Sequence, residues 1–496
     1  MQAAVQSLRT AQEVWSALSA ADRLAPVRKL RALVSRDGDR VARLIAAEGG
    51  KTELEALTQE VLPFLDTCLF LERRAEEILA DQPLEFESKL FFAAKKETVI
   101  TRAPYGVIGI LGTWNYAFFL NMTQALFALT AGNAVCLKFS ELSPKVAEAA
   151  AQLFREAGYP EGLVRVSAGG SEEGKALTAA GCDKYILTGS RAAGQAVLGS
   201  LARDLKPAIV ELSGSDAYLI FPDTDWKLAV QSLVWAAFQY SGQTCVAPRR
   251  VIVLERDRER FLKVFKETVS AASDFVNTQG YLRTPHFAAE EKRKIQVLKD
   301  NGAERLWSAG ELTGPIDGPA ASGDRVPPQL WGGVSHETAG AMDWMSPVLM
   351  LFTAPDETAA VRIARTTPLG LGASVWTRSR SRAARVARSL RAGQVWVNDT
   401  LFTVALGEAP FGGFGASGFG KTRGAEGLLE MTESRLVSSD FRRSRIRVHL
   451  PPYRANSYTI IQSIQKMWFG EGAGTKFKAA ADLVRACMPH DPSKKK

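Results

Sequence analysis

Two short segments 34 positions apart carry groups that could do chemistry together: Glu211-Leu212-Ser213-Gly214, closing a β-branched run, and Gly242-Gln243-Thr244-Cys245, following a long apolar stretch. A cysteine offered by a glycine-containing turn, with a carboxylate set at the end of another element, is equipped for covalent thioester chemistry. One group attacks a carbonyl; the other activates water to release the product. The plainer reading of Cys245 is a small buried hydrophobe.

Composition narrows the setting. A chain of 496 residues exceeds what one hydrophobic core organises, so two or three domains are expected. The cysteines are Cys68, Cys136, Cys182, Cys245 and Cys487, odd in number, far apart and without CxxC spacing. That pattern points to a reducing, cytoplasmic setting and away from structural zinc or a disulfide framework, so no metal site is expected. His286, His336, His449 and His490 all follow Cys245 and none sits in a motif, which speaks against a Cys-His protease. The first residues show no basic region followed by an apolar one, so no secretory signal is read. Residues 107–137 are the longest apolar region, but Thr113, Asn115, Asn121, Gln124 and Asn133 interrupt it, as in a buried strand-helix-strand unit. The net charge of +9 lies wholly in residues 441–496, which hold 12 Lys+Arg against 3 Asp+Glu and leave 50 of each sign before them. The neutral body argues against a nucleic-acid partner.

The elements that must position these groups follow from periodicity. Residues 1–82 read as helices, and Leu84 to Arg102 as an extended segment or ribbon that bridges domains. From Tyr105, strands and helices alternate, with strands at 107–111, 134–137, 163–166, 184–187 and 208–210. A parallel sheet covered by helices on both faces is implied, with ligands at the carboxyl ends of its strands. A second α/β stretch starts near Asp225, and residues 302–340 read as surface loops rich in Gly, Pro and Ser.

No G-x-G-x-x-G follows a strand. Instead Thr188-Gly189-Ser190 leads into a helix whose free N–H groups suit a phosphate, although, taken alone, Ser190 as a plain N-cap is the better explanation. Gly112-Thr113-Trp114-Asn115-Tyr116 ends the first strand, and Lys138-Phe139-Ser140-Glu141 the second. Singly, each has an ordinary structural explanation. Their coincidence at one edge of one sheet does not.

These motifs, with Glu211-Leu212, Gly242 to Cys245 and Pro410-Phe411-Gly412-Gly413 followed by Ser417-Gly418, occur in the order of the aldehyde dehydrogenase superfamily, which the chain resembles over about residues 10–440. The run Ser241 to Pro248 is most similar to the class 3, fatty-aldehyde-type branch. The resemblance implies an α/β fold of two Rossmann-like parallel-sheet domains with a small bridging, oligomerising β-ribbon. It divides the chain into a cofactor-binding domain (1–82 and 105–210), a catalytic domain (211–398), bridging segments (83–104 and 399–440) and a basic extension (441–496), in a homodimer. It implies NAD, or NADP, as cofactor and a small-molecule aldehyde as substrate. Cys245 is then the nucleophile and Glu211 the base for thioester hydrolysis. The Asn115 amide and the Cys245 N–H hold the oxyanion. Thr113, Trp114, Lys138, Ser140, Glu141, Gly189, Ser190, Leu212, Asp343 and Phe411 form the cofactor site, with Lys138 and Glu141 at the adenosine ribose, a lean toward NAD.

Departures from the family pattern cluster around the cofactor. The family's E-L-G-G-K reads Glu211-Leu212-Ser213-Gly214-Ser215; prolines are replaced by Ala117 and Phe139; and the glutamate expected at the nicotinamide ribose is Asp343, one methylene shorter. Two rival readings stay open: an acylating or reductive relative, against which Glu211 speaks, and a degenerate binding or scaffold member. Phe118, Trp235, Phe238, Tyr240 and Phe402 could line an apolar tunnel, but aromatics at such spacings more often pack in the core. In the tail, Arg442 to Arg447, Trp468-Phe469 and Lys494 to Lys496 fit either a solvated or subunit-packing extension or a weak electrostatic anchor to an acidic surface such as anionic lipid. No run there approaches the ~20 apolar residues of a membrane span.

Overall fold

The computed structural model describes residues 1–86, 96–310, 325–440, 451, 453 and 455–487. It divides into two compact units, Met1–Leu79 with Pro104–Glu433 and Ala80–Ala103 with Ser434–Lys496. The expected bridging stretch 399–440 is thus shared: 399–433 folds in the larger unit and 434–440 in the smaller.

The larger unit holds two sheets. In the first, β1 (Val107–Leu111), β2 (Ala134–Ser140), β3 (Val164–Gly169), β4 (Lys184–Thr188) and β5 (Ala208–Glu211) run parallel in the order β5-β4-β1-β2-β3, and Gly418–Phe419 adds an antiparallel edge to β5. β1 and β2 are buried along their whole length, as strands covered by helices on both faces must be. Because the order reverses at β1, the carboxyl ends of β1, β2, β4 and β5 open a crevice at one edge, where ligands of such sheets bind. The core here draws on the amino-terminal helices through Val27, Leu30, Phe64 and Leu71 and on the sheet through Ile108, Ile110, Val135 and Ile186.

The second sheet contains β6 (Asp216–Ile220), β7 (Pro248–Leu254), β8 (Glu304–Ser308), β9 (Gln329–Gly332), β10 (Val348–Ala354), β11 (Gly372–Trp376) and β12 (Gln394–Val397). Their order is β8-β9-β10-β7-β6-β11-β12, with only β8 antiparallel. Here the expectation of loops over 302–340 is corrected. β8 and β9 lie inside that range, and Trp331 in β9 is buried. Short strands flanked by Gly and Pro look like loops until a neighbour pairs with them; β9 gains its order from β10, a pairing no local pattern announces. Residues 311–324 lie outside the described residues.

Gln82–Pro83, Glu97–Pro104 and Thr432–Ser439 form a three-stranded sheet that, apart from Pro104, Thr432 and Glu433, belongs to the smaller unit, which also holds two helices, Ser457–Phe469 and Ala473–Cys487. The expected extended segment 84–102 is a strand from Glu97; its residues 87–95 lie outside the described residues. In the tail, read from its charge alone, the two helices are new. Asn456 donates to the Ala486 carbonyl and ties the end of the second to the start of the first. The basic runs Arg442 to Arg447 and Lys494 to Lys496 lie outside the described residues. No described helix is long and apolar enough to cross a membrane.

Candidate active site

All thirteen residues singled out from the sequence line one cavity of about 600 Å³ in the larger unit, within the range of cofactor and small-molecule sites. The two segments that carry the chemistry meet through Gly214. A Cβ there would stand 2.6 Å from the Cys245 carbonyl oxygen, so only glycine lets the chain from Glu211 pass so close to the nucleophile's turn.

That turn is strained and held from several sides. After the helix Trp226–Phe238, Tyr240, Ser241 and Gly242 have φ values of 49°, 54° and 68°. Non-glycine residues rarely adopt this conformation, and it persists only where the surroundings impose it. Here the Tyr240 N–H donates to Glu55 (2.9 Å), the Ser241 N–H to Gln279 (2.8 Å), and the Arg249 guanidinium to the Gly242 and Thr244 carbonyls. The result presents the half-buried Cys245 to the cavity. Burial pushes the thiol up to about 12, and the negative charges of Glu211 and Asp216 push the same way. It therefore rests protonated.

Asn115 stands beside this turn. Its Nδ2 donates to the Gln243 carbonyl (3.0 Å), while its Oδ1 accepts from Thr113 Oγ1 (2.9 Å) and the Tyr116 N–H (3.1 Å), which fixes which end of the amide faces the nucleophile. One amide hydrogen remains for a ligand. The Tyr116 and Thr244 hydroxyls lie 2.6 Å apart and couple the two loops directly. Beneath them Lys51 and Glu60 form a buried pair (2.5 Å), and Glu60 accepts from the Phe118 and Phe119 N–H groups at the start of the helix Phe119–Thr130.

Glu211, at the end of β5, is buried and accepts from the Thr422 hydroxyl and, at 3.4 Å, from Thr188 Oγ1. Burial raises its carboxyl above the usual carboxylate range; Thr422, Arg423 and Thr188 hold the rise in check. Neither Thr422 nor Arg423 was singled out from the sequence. Arg423 lies in the cavity wall with its guanidinium over the Phe411 and Phe119 rings, 4.6 and 5.2 Å from their centroids. The only local signal was a Lys-Thr-Arg run just after the glycine-rich segment that contains Ser417-Gly418.

Toward the other end, Ser190 caps the helix Arg191–Leu201 by accepting from the Ala193 N–H (3.3 Å), so its N-cap role is realised while the helix start still faces the cavity. Lys138 donates to the Gly169 carbonyl (2.8 Å), Ser140 Oγ to Glu141 (3.0 Å), and the Glu141 side chain is exposed. Trp114 stacks on Phe287, 5.0 Å between centroids. Leu212 and Phe411 are buried apolar walls of the cavity, and Phe411 packs in one cluster with Cys245. Ser213 donates to Asp343, joining two of the positions that depart from the family pattern. An open helix start, a lysine and carboxylate at strand ends and an apolar wall beside the thiol fit the phosphates, ribose and nicotinamide of a dinucleotide.

The five aromatics divide between tunnel and core. Trp235 and Phe402 line the cavity, but Phe118, Phe238 and Tyr240 are buried in the packing around it. Their spacing along the chain carried no sign of which would face the cavity. Phe119, Leu120, Leu401 and Val404 take the vacated places.

Comparison with known proteins bears on the chain as a whole. The model of the aldehyde dehydrogenase family matches residues 1–437. The chain is similar to a 4,4'-diapolycopene aldehyde oxidase of Methylomonas sp, 32% identical over 472 residues, 93% of this chain and 86% of that protein. It is similar to a betaine aldehyde dehydrogenase of Vibrio vulnificus (strain CMCP6), 30% identical over 441 residues, 88% of each chain. Among solved structures it resembles Mycobacterium tuberculosis aldehyde dehydrogenase complexed with NAD+, with a TM-score of 0.80 and 26% identity, covering 87% of this chain and 88% of that one.

Proposed function

The chain belongs to the aldehyde dehydrogenase family, and from that premise we propose how its own residues carry out the NAD(P)-dependent oxidation of an aldehyde to a carboxylic acid. The observation that carries the assignment of roles is the close passage of Gly214 against the Cys245 carbonyl, which brings base and nucleophile into one cavity.

Cys245 gives up its proton to water and its sulfur attacks the aldehyde carbon. The oxyanion formed is met by the remaining Asn115 amide hydrogen and the Cys245 N–H. The bound dinucleotide supplies the hydride acceptor. Glu211, whose affinity for protons is raised by burial, takes a proton from water as that water attacks the thioester and returns it to the departing sulfur, so that the acid leaves with the thiol restored. Lys138, Ser140 and Glu141 hold the adenosine ribose, Gly189 and Ser190 the pyrophosphate, and Thr113, Trp114, Leu212, Asp343 and Phe411 the nicotinamide half. A carboxylate at Glu141 disfavours a 2′-phosphate, so NAD is the preferred form. Substrate enters past Trp235 and Phe402, a wall suited to an apolar aldehyde. Residues 1–82 with 105–210 form the cofactor half, 211–398 the catalytic half, and 83–104 with the end of 399–440 the bridge.

Finer assignments have their own support. The run Ser241 to Pro248 favours the class 3 branch. Thr432–Ser439 is the edge of its small sheet with Leu436 and Val437 exposed, which favours a homodimer that continues the sheet. Five free cysteines favour the cytoplasm. The basic tail, with Tyr458, Phe469 and Phe477 exposed on its helices, favours weak peripheral contact with anionic lipid; co-sedimentation with anionic vesicles at low but not high salt is the expected result.

The deciding experiment is an aldehyde panel with each cofactor. A burst of reduced cofactor followed by free acid is expected from the intact chain and is absent in Cys245→Ser. A protein that binds neither dinucleotide and oxidises no aldehyde is a scaffold, and this reading is then wrong.

A further inference from the structure

Ser213 and Asp343 occupy the two positions where the family pattern has glycine and glutamate, and the structure puts them in contact. The main chain at Ser213 is pinned: its carbonyl accepts from Ser417 Oγ (2.7 Å), and the N–H of Leu212 donates to the Ser417 carbonyl (3.0 Å). From this fixed point the Ser213 hydroxyl donates to Asp343 Oδ2. The other carboxylate oxygen, Oδ1, is buried without a hydrogen-bond partner among the described residues. Lys294, held by Glu291 (2.6 Å) and Glu290 (3.2 Å), donates to the Asp343 main-chain carbonyl (2.5 Å) and fixes that side. One carboxylate oxygen is therefore engaged and the other sealed in the wall. Asp343 offers the cavity little directly.

Ser213 is in a different position. A hydroxyl has one proton and two lone pairs. With the proton committed to Asp343, what Ser213 turns to the cavity is acceptor, strengthened by the charge behind it. We propose that Ser213 is the acceptor for a hydroxyl of the nicotinamide-side ribose, with Asp343 acting through it as a positioning residue. Side-chain length lost at 343 is made up by the hydroxyl gained at 213, and the pair does together what one longer acid facing a glycine would do alone. The inference rests on the dinucleotide reading above.

Its test is binding, followed by quenching of tryptophan fluorescence in the full-length chain, with three probes: NADH, ADP-ribose, which keeps the second ribose but has no nicotinamide, and AMP, which lacks both. Ser213→Ala is expected to weaken NADH and ADP-ribose about tenfold, as for one hydrogen bond to a hydroxyl backed by a charge, with AMP unchanged. Asp343→Ala produces the same pattern, and the double variant is no worse than either single. Ser213→Gly combined with Asp343→Glu regains affinity that each change alone loses. The proposal is overturned by wild-type ADP-ribose affinity in Ser213→Ala, by a double variant whose loss is the product of the singles, or by equal loss of AMP in both Ser213→Ala and Ser213→Gly. If the unaltered chain binds neither NADH nor AMP, the dinucleotide reading itself fails.

Discussion

The hydroxyl of Thr422 donates to the carboxylate of Glu211, 211 positions earlier in the chain. It is among the influences that hold the Glu211 carboxyl down against burial. A base acts only when it is unprotonated, so whatever supports its charged form sets the acidic limit of turnover.

Thr422→Val removes that support. The Glu211 carboxyl rises further, and the acidic limb of the kcat profile moves to higher pH by roughly one unit, the worth of a hydrogen bond to a charged group of about 1.5 kcal/mol. Hydrolysis of the thioester slows while the burst amplitude is kept. A pH profile superimposable on the wild type would show that Glu211 is not the group being titrated.

Glu211→Gln has opposite effects on the two halves of the reaction. It deletes a negative charge that pushes the Cys245 thiol up, so the thiol titrates lower and alkylation by iodoacetamide at pH 8 becomes several-fold faster. Steady-state acid formation falls by about 10²-fold or more, the typical contribution of a general base. Slower alkylation in this variant would contradict the electrostatics described here.

Glu141→Gln should change cofactor choice without touching the chemistry. The exposed carboxylate repels a 2′-phosphate, and its removal is expected to raise kcat/KM with NADP+ relative to NAD+ by about tenfold, close to the effect of one unfavourable charge contact at an effective dielectric near 20 once solvent screening is allowed for. The ratio of the two kcat/KM values, measured with one aldehyde, is the readout.

Asp216 governs a stability difference. It is buried, accepts from the Gly372 N–H (3.0 Å), and is pushed up to about 7 by burial. A carboxyl raised in the folded state contributes stability that is present below its unfolded value, near 3.8, and lost as pH rises through 7. Asp216→Asn removes this dependence. The melting temperature of the variant minus that of the wild type should grow by at least about 2 °C between pH 4 and pH 8; a constant difference would rule the account out.

Much of the first sheet was legible because strands buried on both faces are written as continuous apolar runs, and the helices between them have their own period. The polar residues at the strand ends were legible for the same reason: they interrupt that pattern where a ligand is expected. β8 and β9 were not, because short strands flanked by Gly and Pro take their order from a partner strand. Nor were the tail helices, whose residues were read for charge instead of period.

By itself the sequence determined the kind of chemistry, a thiol and a carboxylate each set at the end of its own element, and the sheet that presents them. Three-dimensional folding decided the rest: that Thr422 and Arg423 stand at Glu211, that Trp235 and Phe402 face the cavity while Phe118, Phe238 and Tyr240 do not, and that Ser213 meets Asp343. The physical reason is range. Backbone pattern and strand ends are set by neighbours along the chain, whereas the environment of a buried side chain is set by whichever distant segments close over it, and hydrogen bonds spanning 130 and 211 positions leave no local trace.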